Sequence, residues 1–347
     1  MRRSSTALLL SLVAFSLARA AVPSTDAAEE AARSILRRID LHLRAPAGDP
    51  SPGRSGGNPL SRYAAAVTAN PLRIESTAEF ARRTLAGSPT ARLTPEVTAA
   101  FLRQQAATIH STTNPSAAEA RSARDSDLQL IANLGLFHAR RLEAAIHYNL
   151  FLRGLRIAEL VAATYAEKDV VEQWRTIVKI AESVPVEVAP ASDRSLRVLA
   201  DWRAELIRLE ASLRDLEEQC CPPDASVLQE KVWRPRTAAE LTAPSVTAYL
   251  PEVTAEETLR FRARIQVSGG LLATALRVRT ADTSGEFLSF AMSSGRDGVH
   301  AVDVPLSRIA GATQLEYFIE VIGANGVGSS HPAPDSPSPT LSFALPR

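Results

Sequence analysis

The sequence predicts a multidomain protein in which an α-helical bundle is followed by a β-sandwich of immunoglobulin or fibronectin type. Residues 127–152 carry apolar side chains at three- and four-residue spacing, interrupted only by Gly135. A helix that is apolar most of the way round lies in the middle of a bundle. From Ser245 onward the hydrophobic period changes from 3.6 to 2 residues, which is typical of half-buried strands.

Residues 1–20 have the pattern of a secretory signal peptide. Arg2 and Arg3 precede a short apolar run, and Ala18-Arg19-Ala20 has the small-x-small form of a cleavage site. We therefore expect a secreted or periplasmic bacterial protein. The apolar run is too short for a mature membrane-spanning helix and no second long run follows, so no membrane span is predicted.

The net charge argues against nucleic acid as a partner. The formal charge of the whole chain is only +1, whereas nucleic-acid binding depends on neutralising many phosphates. Arginine greatly outnumbers lysine, as in proteins from GC-rich bacterial genomes, so the arginines alone are weak evidence for an anionic ligand.

Residues 21–58 are predicted to hold one amphipathic helix, over 26–43, and a Pro/Gly/Ser-rich disordered linker. The bundle is expected over residues 59–221. Thr94-Pro95-Glu96 is a helix start, because a capping hydroxyl precedes proline at the first helical position. Gly154 is predicted to separate the central helix from a further helix over 157–183.

The last predicted helix has a heptad seam within residues 196–220. Its members are Leu199, Trp202, Leu206, Leu209, Leu213, Leu216 and Cys220. The seam either packs on its own bundle or forms a homodimer with a second chain. Cys220 and Cys221 are the only cysteines and are candidates for a disulfide, as a strained vicinal ring or as an interchain bridge. Two thiolates without a nearby histidine do not predict a metal site.

Residues 222–242 are predicted to be a linker and residues 243–347 the β-sandwich, with about seven short strands. Five arginines lie at alternate positions of two successive strands: Arg260, Arg262, Arg264, Arg277 and Arg279. If residues 268–271 join these strands as a hairpin, the five guanidinium groups share one face. Glu316 and Glu320 would neutralise that face. Alternatively, it would bind carboxylate or sulfate groups of an acidic polysaccharide.

Two stretches carry a resemblance to known proteins. Leu315-Glu316-Tyr317-Phe318-Ile319-Glu320-Val321 followed by Asn325-Gly326-Val327-Gly328 resembles the penultimate strand and last hairpin of fibronectin type III-like modules. The preceding helices, with Phe137-His138-Ala139 and Trp174, resemble the helical region before such a module in large exported bacterial proteins, some of them glycan-active enzymes. The resemblance covers residues 60–345 and implies an accessory region without the catalytic barrel.

No catalytic, cofactor or metal-binding constellation is evident in the sequence. Glu143 and His147 lie one helical turn apart without a third ligand and are expected to form an ordinary pair. His138 and Asn149 share a helix face and are expected to be satisfied buried polar groups. His147, Tyr148 and Asn149 are residue types that polysaccharide lyases use, but successive helical side chains point about 100° apart and cannot converge.

These observations favour a non-catalytic binding or scaffold protein of the bacterial envelope or extracellular space, auxiliary to glycan processing. Its partner would be a protein or a glycan of unknown identity. The alternative is a polysaccharide-active enzyme, a lyase or glycosidase, whose active site is not evident. No cofactor is predicted.

Overall fold

The computed structural model describes residues 27–42, 59–113, 123–183, 193–220, 232–254, 257–281, 286–309, 312–336 and 338–345. The predicted signal peptide, most of the first predicted linker, residues 222–231 of the second and Cys221 lie outside these residues. Helices fill the first part of the described chain and antiparallel sheets the C-terminal part, so the predicted order of α followed by β is confirmed.

The chain divides into two compact units. The helical unit comprises residues 1–69, 76–85 and 94–235, and the sandwich unit comprises residues 70–75, 86–93 and 236–347. Sequence reasoning assigned all of residues 59–221 to the bundle. The structure instead places two short segments of that range, 70–75 and 86–93, in the sandwich unit.

The described residues form seven α-helices. They are α1 (Ala27–His42), α2 (Pro59–Ala64), α3 (Thr77–Ala86), α4 (Pro95–Thr112), α5 (Ala123–Gly154), α6 (Ile157–Ser183) and α7 (Asp193–Gln219). The predicted start of α4 is confirmed, since Thr94 Oγ1 accepts a hydrogen bond from the Val97 amide at 3.2 Å and Pro95 follows the cap. Gly154 ends α5, as predicted.

Helix α5 is the centre of the bundle. It contacts α1, α2, α4 and α6, and Ile131 and Ile146, in the first and second halves of the helix, are both fully buried. The predicted helix over 26–43 docks on this bundle as α1, because Ile35 and Ile39 lie in the same apolar core. Close approach of α1 depends on Gly135, where an added Cβ would lie 3.1 Å from Ile35 Cδ1.

Helix α7 packs on its own bundle. Trp202 and Leu209 are buried in the main core, and Leu216 is buried in a second cluster with α2, α5 and α6 residues. The Trp174 indole N–H donates to the Trp202 carbonyl at 2.9 Å, which links α6 to α7. The intramolecular interpretation of the heptad seam is confirmed. A homodimer through residues 196–220 stays a prediction and would need other side chains of α7.

Ten strands lie in two antiparallel sheets within the described ranges. They are β1 (Ser245–Ala248), β2 (Glu252–Val253), β3 (Thr258–Gln266), β4 (Leu271–Thr280), β5 (Leu288–Ala291), β6 (Ser293–Ser294), β7 (Val299–Pro305), β8 (Gln314–Gly323), β9 (Gly328–His331) and β10 (Leu341–Ala344). One sheet has the order β1-β3-β7-β6 with β2 also on β3, and the other has β10-β8-β4-β5 with β9 also on β8.

The inner faces of the two sheets share one apolar core. Leu259, Phe261 and Ala263 of β3 alternate with exposed or half-buried residues, as the sequence period predicts. The Phe261 ring meets Tyr317 of the other sheet edge to face, with ring centroids 5.0 Å apart.

The two early segments of the sandwich unit pair with each other. The Leu93 amide donates to the Arg73 carbonyl at 2.8 Å, and the Glu75 amide donates to the Leu93 carbonyl at 2.9 Å. Ile74 between them is fully buried. Segment 86–93 lies so close to Gly328 that a Cβ there would fall 2.3 Å from the Ala91 Cα, so only glycine fits at the start of β9.

Candidate functional site

The structure separates the five predicted arginines. Strand β3 pairs with β7 in one sheet, whereas β4 pairs with β8 in the other, so residues 268–271 do not form a hairpin within one sheet. The expectation of one shared face was therefore wrong. Alternation identifies which side of a strand is buried, but it does not identify the sheet to which the strand belongs.

Four of the five arginines have a carboxylate partner. Arg260 Nε lies 2.7 Å from Asp303, Arg277 Nε lies 2.7 Å from Glu320, Arg279 Nε lies 2.8 Å from Glu316, and Arg262 pairs with Glu252. The exposed Arg264 forms no ion pair with the described residues. The predicted neutralisation by Glu316 and Glu320 is confirmed for the two arginines of β4.

Arg279 lines a groove of about 430 Å³ that lies within the sandwich unit. The groove is lined by Asn70, Leu72, Arg73, Arg279, Phe287, Glu316, Phe318, Pro339 and Thr340. The Phe287 and Phe318 rings pack edge to face with centroids 5.0 Å apart, and the Arg279 guanidinium lies 4.5 Å above the Phe287 ring. An ion pair and two aromatic rings therefore share one concave surface.

Arg73 is a buried member of the groove lining. Its guanidinium donates to Ser330 Oγ at 2.7 Å and to the backbone carbonyls of Pro332 and Pro339. These carbonyls lie where β9 ends and where β10 is about to begin, along the same edge of β8. The guanidinium also lies 4.5 Å above the Phe318 ring. Arg73 therefore connects the end of β9 and the residues before β10 to a ring that lines the groove.

The charge of Arg73 persists despite its burial. Burial lowers the pKa of Arg73 to about 10, and the nearby carboxylates Glu320 and Asp335 oppose that decrease. A group with this pKa is cationic at neutral pH. Sequence reasoning missed Arg73 because its partners near the C-terminus are remote in sequence and its own segment has no strand or helix period.

A second polar cluster lies inside the helical unit along α5. Tyr63 Oη and His138 Nδ1 are 3.2 Å apart, and the Arg141 guanidinium pairs with the carboxylate of Glu167 on α6. Asn149, on the same face of α5, donates to the Ala64 carbonyl at 3.0 Å. The expectation of satisfied buried polar groups is confirmed for Asn149 and for His138 Nδ1, whereas His138 Nε2 is buried without a hydrogen-bond partner among the described residues.

Burial controls the protonation of this cluster. It lowers the pKa of His138 to about 3, with the Arg141 charge as a second cause, so the imidazole is neutral. It raises the pKa of Glu167 in spite of Arg141. Because His138 and Glu167 are at most 2 % exposed, the cluster has no route to a substrate. It fixes α2 and α6 against α5.

His147 and Glu143 do not pair with each other, contrary to expectation. Glu143 pairs with Arg103 of α4, while His147 Nδ1 lies 2.7 Å from Glu159 of α6. The other Glu159 oxygen accepts from the Trp233 amide at 2.9 Å, and the Trp233 ring packs edge to face on His147. Each partner belongs to a neighbouring element, which intrahelical spacing cannot indicate.

The three successive residues of α5 diverge, as predicted. His147 contacts Glu159, Tyr148 packs near Phe151, and Asn149 reaches the Ala64 carbonyl. Among the described residues, no group of three or more histidine, cysteine, aspartate or glutamate side chains is arranged to hold a metal ion.

Cys220 is partly buried against Leu216 and its neighbours and forms no disulfide with a described residue. Its neighbour Cys221 lies outside the described residues, so the disulfide stays a prediction. No helix within the described ranges is long and apolar enough to cross a membrane.

No protein-family model matches this chain, and neither does any curated protein. A solved structure that it resembles is a GH138 enzyme targeting the pectin rhamnogalacturonan II. The match has 10 % sequence identity and a TM-score of 0.28, and it covers 67 % of this chain but only 35 % of that enzyme. A likeness at this TM-score carries no argument about fold or function.

Proposed function

We propose that this protein is a non-catalytic binding protein, exported to the bacterial envelope or the extracellular space, whose sandwich-unit groove binds a hydroxyl-rich ligand such as a glycan. The observation that carries the proposal is the Arg279–Glu316 ion pair beside the Phe287 and Phe318 rings in one groove. Pockets of this size, apolar with a few placed polar groups, are typical of small-ligand sites.

The groove chemistry matches a sugar ring. Each sugar hydroxyl both donates and accepts hydrogen bonds, and the pair offers guanidinium donors from Arg279 and carboxylate acceptors from Glu316. The apolar face of the ring can pack on Phe287, which is only partly buried. Asn70 and Thr340 add amide and hydroxyl groups at the rim.

The charge balance favours a neutral glycan over an acidic one. Glu316 and Glu320 compensate Arg279 and Arg277, and Arg73 already donates to three oxygen atoms. An acidic polysaccharide would have to displace these carboxylates or be repelled by them. The five arginines therefore no longer support the acidic-glycan surface that the sequence predicted.

Two further parts of the proposal, the immunoglobulin-type sandwich and export, rest on observations outside the groove. The strand orders β1-β3-β7-β6 and β10-β8-β4-β5 agree with the ABED and GFC sheets of immunoglobulin-type sandwiches, which supports that assignment. Export rests on the signal pattern of residues 1–20. N-terminal sequencing after expression in a bacterial host should find Ala21 or Val22 first, and a product that retains Met1 would contradict export.

Binding of neutral oligosaccharides to the full chain tests the groove directly. We expect calorimetry on a panel of neutral and acidic glycans to find a neutral ligand whose affinity changes little with salt. Phe287→Ala and Glu316→Gln should each weaken it about tenfold. The matched control is Arg260→Ala, which removes an equivalent ion pair from the other sheet and should leave affinity unchanged. Equal losses in all three variants, or no binding, would refute the proposal.

The enzyme alternative depends on one observation, the His147–Glu159 pair. A carboxylate on Nδ1 orients a histidine for proton transfer at Nε2 in many enzymes. Here His147 is only 7 % exposed and lies against Trp233, so access to a substrate is poor. If oligosaccharide cleavage is detected and is abolished in a folded His147→Gln variant, this alternative replaces the binding function.

A further inference from the structure

The turn between α5 and α6 exposes a set of large apolar side chains. Leu152, Leu155 and Ile157 are 51 %, 76 % and 43 % exposed, and Leu85 at the end of α3 is 48 % exposed. Leu85 lies beside the turn, since its Cδ2 would be 3.8 Å from a Cβ on Gly154. We call these four residues the apolar corner. All four belong to the helical unit.

The backbone of the apolar corner has a positive φ at a residue other than glycine, Leu155. Leu155 has φ 52°, and its amide donates to the Phe151 carbonyl at 2.7 Å, which is the left-handed position that closes a helix. Glycine is preferred there because a side chain is strained at positive φ. Gly154 lies one residue too early to fill that position. A strained backbone that displays an exposed leucine points to a functional constraint.

The surroundings of the apolar corner are basic. Arg153 and Arg156 flank Leu155, and Arg82 lies one turn before Leu85 on α3. Residues 80–85 and 144–158 contain no aspartate or glutamate. The next acid, Glu159, is 1 % exposed, and its side chain lies 2.7 Å from His147 and 3.7 Å from Arg156.

We infer that the apolar corner docks on the surface of an anionic phospholipid bilayer. Leucine and isoleucine side chains enter the acyl boundary, while the arginines reach the phosphates with their long side chains. The apolar tip, the flanking arginines and the lack of acidic residues within 80–85 and 144–158 make the apolar corner complementary to a negative lipid surface. The inference does not depend on the groove, which lies in the other unit.

A fluorescence experiment localises the contact in the full chain. Leu155→Cys, in a Cys220→Ser and Cys221→Ser background, carries an environment-sensitive label. Leu250→Cys in the same background is the matched control, because Leu250 is 80 % exposed in the sandwich unit. Phosphatidylglycerol-containing vesicles should raise and blue-shift the emission at position 155 only, and high salt should reverse the change. The N-terminal segment, with or without residues 1–20, is the same in both proteins and cannot cause a difference between them.

Vesicle co-sedimentation of unlabelled variants completes the test. Leu152→Ser with Leu155→Ser should weaken partitioning about tenfold, whereas Leu250→Ser should leave it unchanged. Leu155→Gly should also weaken partitioning while keeping or raising the melting temperature, because glycine relieves the positive φ. No emission change at position 155, an equal change at position 250, or an equal response to pure phosphatidylcholine would overturn the inference. A lower melting temperature for Leu155→Gly would mean that Leu155 serves packing instead.

Discussion

The helical unit and the sandwich unit place their charges in opposite ways. The helical unit buries charged side chains between helices, as in the Arg141–Glu167 pair, whose side chains are 3 % and 0 % exposed. Within residues 236–347, no described aspartate, glutamate, lysine or arginine is buried, and the ion pairs lie on the outer faces of the sheets. The buried charges of the sandwich unit, Arg73 and Glu75, come from the early segment 70–75.

This difference separates two uses of an ion pair. A buried pair is costly to break, because removal of one partner leaves an uncompensated charge away from water. A surface pair across two strands contributes little, since water and salt screen it. The helical unit should therefore be sensitive to the loss of single charges and to pH. The sandwich unit should tolerate the loss of single surface charges, except at the early segment.

Acid should produce the largest effect, and it should act on the helical unit. Burial lowers the pKa of His42 and of His138 to about 3, in both cases with help from a nearby arginine. Both are neutral when folded, whereas in the unfolded chain they bind protons near pH 6.5. Their contribution is complete above pH 6.5 and is lost as the pH falls toward 3. We expect a loss of about 5 kcal/mol between pH 6.5 and 4.5.

Urea unfolding followed by the helical circular dichroism signal measures this loss. His42→Gln and His138→Gln should each reduce the acid slope by about 1 kcal/mol per pH unit, even if they lower stability at neutral pH. The control variant is His110→Gln, since His110 lies in α4 and is only partly buried. Parallel slopes for all variants would mean that the buried histidines do not cause the acid sensitivity.

Arg141→Met should give the next largest effect. It leaves Glu167 buried without its guanidinium partner, and we expect a loss of 3–5 kcal/mol, on the order found for broken buried pairs. The double variant Arg141→Met with Glu167→Leu should recover most of that loss, because neither charge then remains. Urea denaturation of the wild type, the single variants Arg141→Met and Glu167→Leu, and the double variant measures the coupling. A double variant as unstable as Arg141→Met alone would show that packing is the cause.

Arg73→Met tests the buried charge of segment 70–75, where the sandwich unit is expected to be sensitive to the loss of a single charge. The change removes hydrogen bonds to Ser330 and to the carbonyls of Pro332 and Pro339, and we expect a loss of about 3 kcal/mol. Hydrogen exchange should show faster exchange of the amides of β9 and β10 with little change in α5.

A fragment of residues 240–347, expected from the sequence to fold alone, lacks Arg73 and the rest of segment 70–75. It should therefore melt at lower temperature than the same strands in the full chain.

The outcome of sequence reasoning differed between local and long-range features. The period of residues 157–183 predicted α6 with the observed bounds, and the alternation in β3 predicted its buried face. Local periodicity carries this information because one face of each element is apolar. It does not carry strand pairing, so the separation of β3 from β4 could not be predicted. The groove was missed for the same reason, since Arg73 meets Phe318 only through the fold.

The smallest effect should come from the surface pair Arg260–Asp303. The two residues lie opposite each other on β3 and β7, with side chains 46 % and 43 % exposed. The hydrogen bond from Arg260 lowers the pKa of Asp303, so its small contribution is present above about pH 4 and is lost as the pH falls further. A double-mutant cycle of Arg260→Ala and Asp303→Ala should give a coupling of 0.2–1 kcal/mol, on the order usual for exposed pairs, and salt should reduce it. A coupling near that of Arg141–Glu167, or one insensitive to salt, would show that the sheets hold their surface charges in a drier environment than their exposure indicates. The contrast between the two units would then be one of position in the fold and no longer one of energy.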